Sequence, residues 1–370
     1  MFVFGFIEKI LRNASIFNIY QYFWERLHIN MKDQPVTIKD IASEVGMSVS
    51  SISRALSDHP HISEETKIKV RAAAEKLGYR YNALAAALRS SRSKTIGLIV
   101  PRVSMPFQSA VITAIQNRLH TYGYNLMVCQ SNESPELEKK LVDLLLATQV
   151  EGLIVSSTLY TKDYSVFDRS SMRGTPVVFY DRVPKDKACH KIVGDEFNGG
   201  YQVTKHLLEQ DCRRIAHISG PLSCSIYLQR LSGYKEALSE YGLEYNEDLV
   251  FFHELNRENT FLSCDKLFSG KIIPDAIFAC NDTAALAVVE YAERNNIPVP
   301  ADLKVSGYSN DNRVEISRPK ITSVEQYPHL MGDDAAKLIM DLIQSTESNR
   351  SYISLTTPIE LIKRESSLKD

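Results

Sequence analysis

From residue 95 onward, short apolar runs alternate with longer segments of helical periodicity. The first four runs read IGLIV, YNLMVCQ, VEGLIVS and TPVVFYD, and a second set reads RIAHISG, DLVFFH, DAIFACND and LKVSGYSN. These runs are apolar without strict alternation, which is typical of strands covered on both faces of a parallel sheet. The sequence therefore predicts an α/β body of two doubly wound lobes. Ligands of such sheets bind beside the carboxyl ends of the strands.

A different pattern precedes this body. The segment TIKDIASEVGMSVSSISRAL, residues 37–56, places apolar side chains at helical spacing in two short stretches. Thr37 with Asp40 forms a capping-box pattern for the first helix, and Gly46 permits the positive φ that ends it. Ser48 is a good N-cap for the second helix. Two helices separated by a three-residue turn have the spacing of a helix-turn-helix.

A third helix is expected between Ser63, which can cap it, and Gly78, which can end it. Three helices around one small core predict a DNA-binding head at residues 35–80. The charge distribution agrees, because residues 31–94 carry 11 basic and 7 acidic side chains in a chain of net charge -2.

The second helix is the predicted reading helix. Its short outward side chains let the backbone approach base edges in the major groove, and Arg54 can hold a guanine with two hydrogen bonds. An ordinary helical hairpin with a solvated Arg54 is the alternative. The predicted DNA-binding residues of the head are Thr37, Ser48, Val49, Ser50, Ser53 and Arg54.

Residues 81–94, YNALAAALRSSRSK, predict a hinge helix and a linker. Asn82 would cap this helix, and alanine and leucine favour helix formation. An isolated helix shorter than about 12 residues is not stable in water because nucleation is unfavourable. We therefore expect the hinge helix to be ordered by its copy in a dimer while lying on DNA.

The stretch from TIKDIA through NALAAALRSSRSKTIGLIVP resembles the LacI/GalR family of bacterial transcription regulators, and the resemblance covers residues 35–365. It implies a body similar to periplasmic binding proteins, in which the chain crosses between the lobes near 193, 320 and 352. The implied N-terminal lobe comprises 95–193 and 321–350, and the C-terminal lobe comprises 194–320 and 351–366. The resemblance also implies that Leu88 wedges into a central base step and that Arg89 lies at the phosphates.

Matching motifs imply a set of effector-binding residues at the strand ends. Amides, guanidinium groups, carboxylates and aromatic rings are the groups that bind sugars. Asp282 is expected to cap the helix that follows it, and Arg102 suggests an anionic or phosphorylated ligand. The implied ligand-binding residues are Phe107, Gln108, Asp181, Arg230, Asn281 and Ser309.

Residues 1–34 are interpreted as an N-terminal extension, with Met31 as the native start; a genuine amphipathic N-terminal helix is the alternative. Glu8 and Lys9 interrupt the opening apolar stretch, so no signal peptide or membrane span is expected. Six cysteines without a C-x-x-C pair indicate reduced thiols in a cytoplasmic protein.

Three classes of function compete for this sequence. The favoured class is a homodimeric transcription regulator, a repressor of sugar-metabolism genes, whose partners are double-stranded operator DNA and a sugar or sugar phosphate. A sugar-binding protein of a transport system is the alternative. An enzyme is the third class, but no P-loop, G-x-S-x-G or H-E-x-x-H motif is present, so no cofactor, metal site or catalytic residue is predicted.

Overall fold

The structure is a computed structural model that describes residues 36–79, 93–172, 174–345 and 351–369. The N-terminal extension and the hinge residues Asn82, Leu88 and Arg89 lie outside the described residues. The chain divides into two compact units, one containing residues 36–79 and the other containing the described residues from 93 onward. No helix in the described part of the chain is both long and apolar enough to cross a bilayer.

The first unit is a three-helix head, with α1 at Ile38–Val45, α2 at Val49–Leu56 and α3 at Glu64–Leu77. Local hydrogen bonds define the helix ends. The Ser48 hydroxyl accepts from the Ser51 amide at 3.2 Å, and the Ser63 hydroxyl accepts from the Thr66 amide at 3.3 Å. The predicted helix-turn-helix is confirmed, and its buried core consists of Ile41, Ala42, Ile52, Ala55, Val70 and Ala74.

The second unit contains two lobes. The sheet of lobe 1 is six-stranded and wholly parallel, in the order β11-β5-β4-β3-β1-β2. Its strands are β1 (Thr95–Val100), β2 (Asn125–Gln130), β3 (Gly152–Val155), β4 (Val177–Tyr180), β5 (His190–Gly194) and β11 (Ser354–Thr357). Its helices are α4 (Pro106–Thr121), α5 (Pro135–Ala147), α6 (Ser165–Met172) and α12 (Pro328–Gln344).

The sheet of lobe 2 is four-stranded and parallel, in the order β7-β6-β8-β9. Its strands are β6 (Ile215–Ser219), β7 (Val250–Phe252), β8 (Ala276–Ala279) and β9 (Lys304–Ser306). Its helices are α7 (Glu196–Glu209), α8 (Ser225–Glu240), α9 (Arg257–Ser269), α10 (Asp282–Arg294) and α11 (Asn312–Ile316), with a 3-10 turn at Glu247–Leu249. A separate antiparallel pair joins β10 (Ser323–Glu325) to β12 (Glu360–Ile362).

Two of the expected lobe boundaries require correction. Strand β11 pairs with β5 of lobe 1, although residues 351–366 were expected in lobe 2. Ile321 and Val324 pack in the core of lobe 2, although residues 321–350 were expected in lobe 1. The second and third crossings therefore lie between β10 and α12 and between β11 and β12. Strand β11 is largely exposed and polar, so only its pairing with β5 identifies its lobe.

Close packing of α7 on α8 fixes the geometry at the start of lobe 2. A Cβ atom at Gly233 would lie 2.0 Å from the Phe197 carbonyl oxygen, and one at Gly200 would lie 2.2 Å from the Arg230 carbonyl oxygen. The two backbones can approach this closely only because both positions lack a side chain. This contact brings Glu196 and Arg230 together beside the carboxyl ends of the strands.

Candidate functional site

The second helix of the head presents an unpaired guanidinium group. The exposed Arg54 side chain makes no hydrogen bond or ion pair with any described residue. Three other cations of the head are neutralised, because Lys67 pairs with Glu64, Arg71 with Asp58 and Lys76 with Glu44. Arg54 is therefore available for an external hydrogen-bond acceptor.

The remaining predicted DNA contacts of the head lie at the starts of α1 and α2, except Ser53, which lies in the second turn of α2. Thr37 precedes α1, and its amide and hydroxyl both donate to the Asp40 carboxylate, at 2.7 and 2.8 Å. Ser48 caps α2, and its hydroxyl lies 2.9 Å from that of Ser50. Val49 is exposed, whereas Ser53 is half-buried. Helix N-termini attract phosphate oxygens, so these positions are suited to contacts with a nucleic-acid backbone.

A cavity of about 420 Å³ lies between the two lobes of the body, at the carboxyl ends of the strands. Both lobes line it, as doubly wound sheets predict. Lobe 1 contributes Arg102, Phe107, Glu133, Leu159 and Arg182, and lobe 2 contributes Tyr227, Glu254, Asn281, Ser309 and Arg313, among others.

Each arginine that lines this cavity has a carboxylate partner. Arg182 donates to Glu133 at 2.8 Å within lobe 1, and both side chains are buried. Arg102 reaches across the lobes to Glu254 at 2.6 Å. Arg313 is held by Asp311, with contacts from Nε at 3.1 and 3.2 Å. The cavity therefore offers polar groups without an uncompensated positive charge.

Three of the predicted ligand-binding residues line the cavity. Phe107 is almost buried and packs in the core of lobe 1, so little of its ring is available to a ligand. Asn281 follows β8, and its Nδ2 donates to the Leu255 carbonyl at 3.3 Å. The Ser309 hydroxyl donates to Gln326 Oε1 at 2.9 Å from a backbone with a φ of 107°.

The cap of α10 is Asn281, so the prediction that Asp282 caps this helix was wrong. Asn281 Oδ1 accepts from the Ala284 amide at 2.7 Å. Asp282 is buried and accepts from the Ser323 hydroxyl at 2.6 Å and from the Asp311 amide at 2.8 Å. Burial raises the pKa of Asp282 to about 7, while the Ser323 bond opposes the rise. In sequence alone, adjacent Asn and Asp are equally good caps.

Arg230 does not line the 420 Å³ cavity. Its Nε donates to Glu196 Oε2 at 2.6 Å, its Nη1 donates to the Cys280 carbonyl at 2.7 Å, and its guanidinium lies 3.5 Å from the ring centroid of Tyr308. Its Nε and Nη1 are thus already used within the protein, and breaking the buried pair with Glu196 would be strongly unfavourable. The ligand-binding role inferred for Arg230 stays a prediction.

Gln108 and Asp181 also lie elsewhere. Gln108 is buried, and its Nε2 lies 3.2 Å from both Ser156 Oγ and Asp181 Oδ2. Tyr180 donates its hydroxyl to the Gln108 side-chain oxygen. Asp181 lines a second cavity, and burial raises its pKa to about 6. The structure therefore separates these two residues from the cavity that Asn281 and Ser309 line.

The sequence interpretation missed several residues of the cavity. Glu133 and Arg182 follow strands β2 and β4, so the strand-end rule that selected Asp181 would have found them. Glu254 follows β7 and would have been found by the same rule, whereas Tyr227 lies within α8 and is not distinguished by a local motif. The described residues include no group of three His, Cys, Asp or Glu side chains that could hold a metal ion.

A helix-turn-helix head and a bilobed α/β body with a cavity at its strand ends define a DNA-binding regulator with a small-molecule-binding body. Residues 37–82 match the profile of bacterial regulatory proteins of the lacI family, and residues 204–367 match the periplasmic binding protein-like domain. The chain therefore contains a lacI-family helix-turn-helix domain and a periplasmic-binding-protein-like domain, which confirms the resemblance read from the sequence for these two segments. It is a DNA-binding transcriptional repressor.

Individual relatives agree with this assignment. The transcriptional repressor PurR of Mannheimia succiniciproducens is 29% identical over 330 residues, covering 89% of this chain and 98% of that protein. A complex of the transcriptional regulator CelR with cellobiose is 28% identical, with a TM-score of 0.67 and coverage of 90% and 99%. The Lac repressor dimer bound to operator and the anti-inducer ONPF is 25% identical, with a TM-score of 0.81 and coverage of 91% and 100%.

Proposed function

We propose that this repressor is a cytoplasmic homodimer controlled by a neutral sugar that binds in the 420 Å³ cavity between its lobes. The absence of an unpaired cation among the arginines of the cavity carries the proposal. A phosphorylated sugar would need a free cation, yet Arg102, Arg182 and Arg313 are each held by a carboxylate. Paired guanidinium and carboxylate groups still offer hydrogen bonds to neutral hydroxyl groups.

The chemistry of the lining suits a sugar. The Asn281 amide is a planar polar group and the Ser309 hydroxyl is a small one. The exposed part of Phe107 and the Tyr227 ring offer apolar surface for the C–H groups of a sugar. The Tyr227 hydroxyl makes no hydrogen bond with the described residues and is the clearest candidate for a ligand contact. The structural relative CelR forms a complex with cellobiose, which supports a sugar effector in this chain.

Operator DNA is the second ligand in this proposal. Arg54 reads a base, Thr37, Ser48, Val49, Ser50 and Ser53 contact the duplex, and Asn82, Leu88 and Arg89 form the hinge that meets the DNA. The Lac repressor structure contains a dimer on operator DNA, which supports a dimer here. The DNA-binding head makes a transporter-associated binding protein the weaker alternative, and we infer a switch rather than an enzyme.

Control follows from the position of the cavity. Bonds between the lobes surround it, including the Arg102–Glu254 pair and a bond from the Ser223 hydroxyl to the Leu159 carbonyl at 2.8 Å. A ligand that contacts both lobes changes the stability of the closed arrangement of the lobes relative to the open one. Operator affinity then changes by the difference in ligand affinity between the two states.

The test uses the full chain and a sugar panel containing cellobiose, glucose, galactose and glucose 6-phosphate. We expect a neutral sugar to raise the unfolding temperature and to change operator affinity in fluorescence anisotropy. Tyr227→Phe should weaken that sugar about tenfold, because one hydrogen bond to a ligand contributes about 1–1.5 kcal/mol. The matched control Tyr241→Phe removes an exposed hydroxyl and should leave sugar affinity unchanged.

Two results would contradict the proposal. The first is a monomeric protein that does not bind double-stranded DNA at low salt. The second is selective binding of the phosphorylated sugar, with no response to the neutral sugars.

A further inference from the structure

A second cavity of about 470 Å³ lies between the lobes and shares no lining residue with the first. It opens beside the carboxyl ends of β4, β5 and β11, and the first turns of α7 and α8 face it from lobe 2. Its distinctive lining residues are Asp181, Lys191, Val193, Phe197, Ile226 and Leu228.

Asp181 supplies a carboxylate oxygen that is not used within the protein. The side chain is 5% exposed, and both of its hydrogen bonds, from Gln108 at 3.2 Å and Ser156 at 3.5 Å, go to Oδ2. Oδ1 makes no hydrogen bond with the described residues. The backbone at Asp181 has a φ of 57°, which is unfavourable for a residue other than glycine. Backbone strain of this kind concentrates at functional sites.

Lys191 supplies a cation without a partner. It is half-buried on β5, and its ammonium group makes no hydrogen bond or ion pair with the described part of the chain. The other lysine of the cavity, Lys185, donates to the Leu222 carbonyl. A half-buried ammonium group without a partner is unfavourable, so an anionic group of a ligand would be stabilised beside Lys191.

Apolar side chains form the third part of the lining. Phe197 at the start of α7 is 41% exposed, and Leu228 in α8 is 36% exposed. Val193 and Ile226 also line this cavity. Exposed large apolar side chains that meet at a concave surface indicate a binding site for an apolar group.

We propose that this second cavity binds an α-amino acid with an apolar side chain. Asp181 Oδ1 accepts from the ammonium group, Lys191 donates to the carboxylate, and Phe197 and Leu228 contact the side chain. A zwitterion also suits the remaining charges. Asp186, Asp195 and Glu196 line the cavity too, and Glu196 is neutralised by Arg230. A simple anion would be repelled by the first two carboxylates, whereas a zwitterion has no net charge.

Calorimetric titration of the full chain with L-leucine and L-phenylalanine tests the proposal. We expect saturable binding of at least one of them. N-acetyl-L-leucine, which lacks the ammonium group, and isopentylamine, which lacks the carboxylate, should bind at least about tenfold more weakly, because each loses one charge-assisted hydrogen bond. Lys191→Met, which keeps an unbranched side chain but removes the ammonium group, should weaken amino-acid binding to a similar extent.

Variants of the two cavities distinguish the two sites. Tyr227→Phe in the first cavity should leave amino-acid affinity unchanged, and Lys191→Met should leave sugar affinity unchanged. Three results would overturn the proposal: no saturable binding of either amino acid, unchanged amino-acid affinity in Lys191→Met, or weakened amino-acid affinity in Tyr227→Phe. The third result would place the amino acid in the first cavity.

Discussion

Arg54 is the residue to which we assign sequence discrimination by the head. Its guanidinium has no partner within the described residues, so removing it leaves no buried group unsatisfied. We predict that Arg54→Ala keeps the unfolding temperature and reduces the preference for operator over random DNA by about 1–3 kcal/mol. Fluorescence anisotropy titrations with both duplexes measure this difference.

Arg71→Ala is the matched control for Arg54→Ala. It removes the same charge from the head, but Arg71 pairs with Asp58 and lies on α3 rather than on the reading helix. Arg71→Ala should change the affinity for operator DNA and for random DNA equally. An unchanged operator preference in Arg54→Ala would remove Arg54 from the reading surface.

Glu138 couples stability to pH. The buried carboxyl accepts from the Thr158 amide at 3.0 Å and from the Thr161 hydroxyl at 2.8 Å, and burial raises its pKa to about 7. The folded protein therefore keeps a proton that the unfolded chain releases above its ordinary pKa of 4.5. The stabilising contribution of Glu138 is complete below pH 4.5 and is lost as the pH rises through about 7.

Glu138→Gln should remove this pH dependence. The glutamine amide can keep both bonds, because a threonine hydroxyl also accepts. We predict that the variant is more stable than the natural protein at pH 8 by roughly 1–3 kcal/mol, and that this advantage disappears near pH 4.5. Thermal unfolding at several pH values measures it. A difference in stability between the variant and the natural protein that stays constant from pH 4.5 to pH 8 would contradict the raised pKa of Glu138.

At the scale of the helix, Ser48 and Ser63 have the same structural role in different places. Each caps a helix of the head, but only Ser48 lies at the start of α2, the predicted reading helix. We predict that Ser63→Ala and Ser48→Ala each destabilise the head by about 1 kcal/mol. Only Ser48→Ala should also weaken operator binding at a temperature where both variants are folded.

Calorimetric unfolding and anisotropy separate the two effects of these serine variants. Equal loss of operator affinity in both would mean that Ser48 acts only through helix stability. Loss of affinity without loss of stability in Ser48→Ala would contradict its role as a cap.

At the scale of the whole molecule, the Arg102–Glu254 pair joins the two lobes at the cavity that we assign to the sugar. The two side chains are 42% and 29% exposed, so breaking the pair should change stability by less than about 1 kcal/mol. Breaking the pair should have a larger effect on the affinity of the cavity for a charged ligand. In Glu254→Gln, Arg102 loses its partner and the cavity gains an uncompensated cation.

We predict that Glu254→Gln increases the affinity for glucose 6-phosphate relative to glucose up to about tenfold at low salt, and that this gain falls as salt screens the charge. Calorimetric titration at two salt concentrations measures the ratio. Glu258→Gln, which removes an exposed charge from α9, should leave the ratio of the two affinities unchanged. An unchanged ratio in Glu254→Gln would show that Arg102 does not contact the ligand region.

Local signals predicted much of the fold. The Thr37–Asp40 box, the Ser48 and Ser63 caps and the left-handed glycines Gly46 and Gly78 all lie where the sequence placed them. The eight apolar runs correspond to strands β1 to β4 and β6 to β9. Strands β5 and β10 to β12 were not predicted, because they are short and partly exposed and therefore lack a continuous apolar pattern.

The candidate site was predicted only in part. Asn281 and Ser309 follow strands, and the parallel sheet brings strand ends to one edge, so the sequence could select them. Whether a polar side chain at that edge faces a cavity or another side chain depends on its partners. Arg230 meets Glu196, which is 34 residues away, only after α7 and α8 have packed together.

By itself, the sequence determined the type and order of most elements, because helix caps, turn glycines and apolar periodicity act within a few residues of each other. It also carried the resemblance to the lacI family, through the motifs of the head and hinge. The tertiary structure alone decided which charges neutralise each other, which lobe β11 joins, and how the strand-end residues divide between two cavities. These outcomes depend on contacts between residues distant in sequence, which local periodicity does not encode.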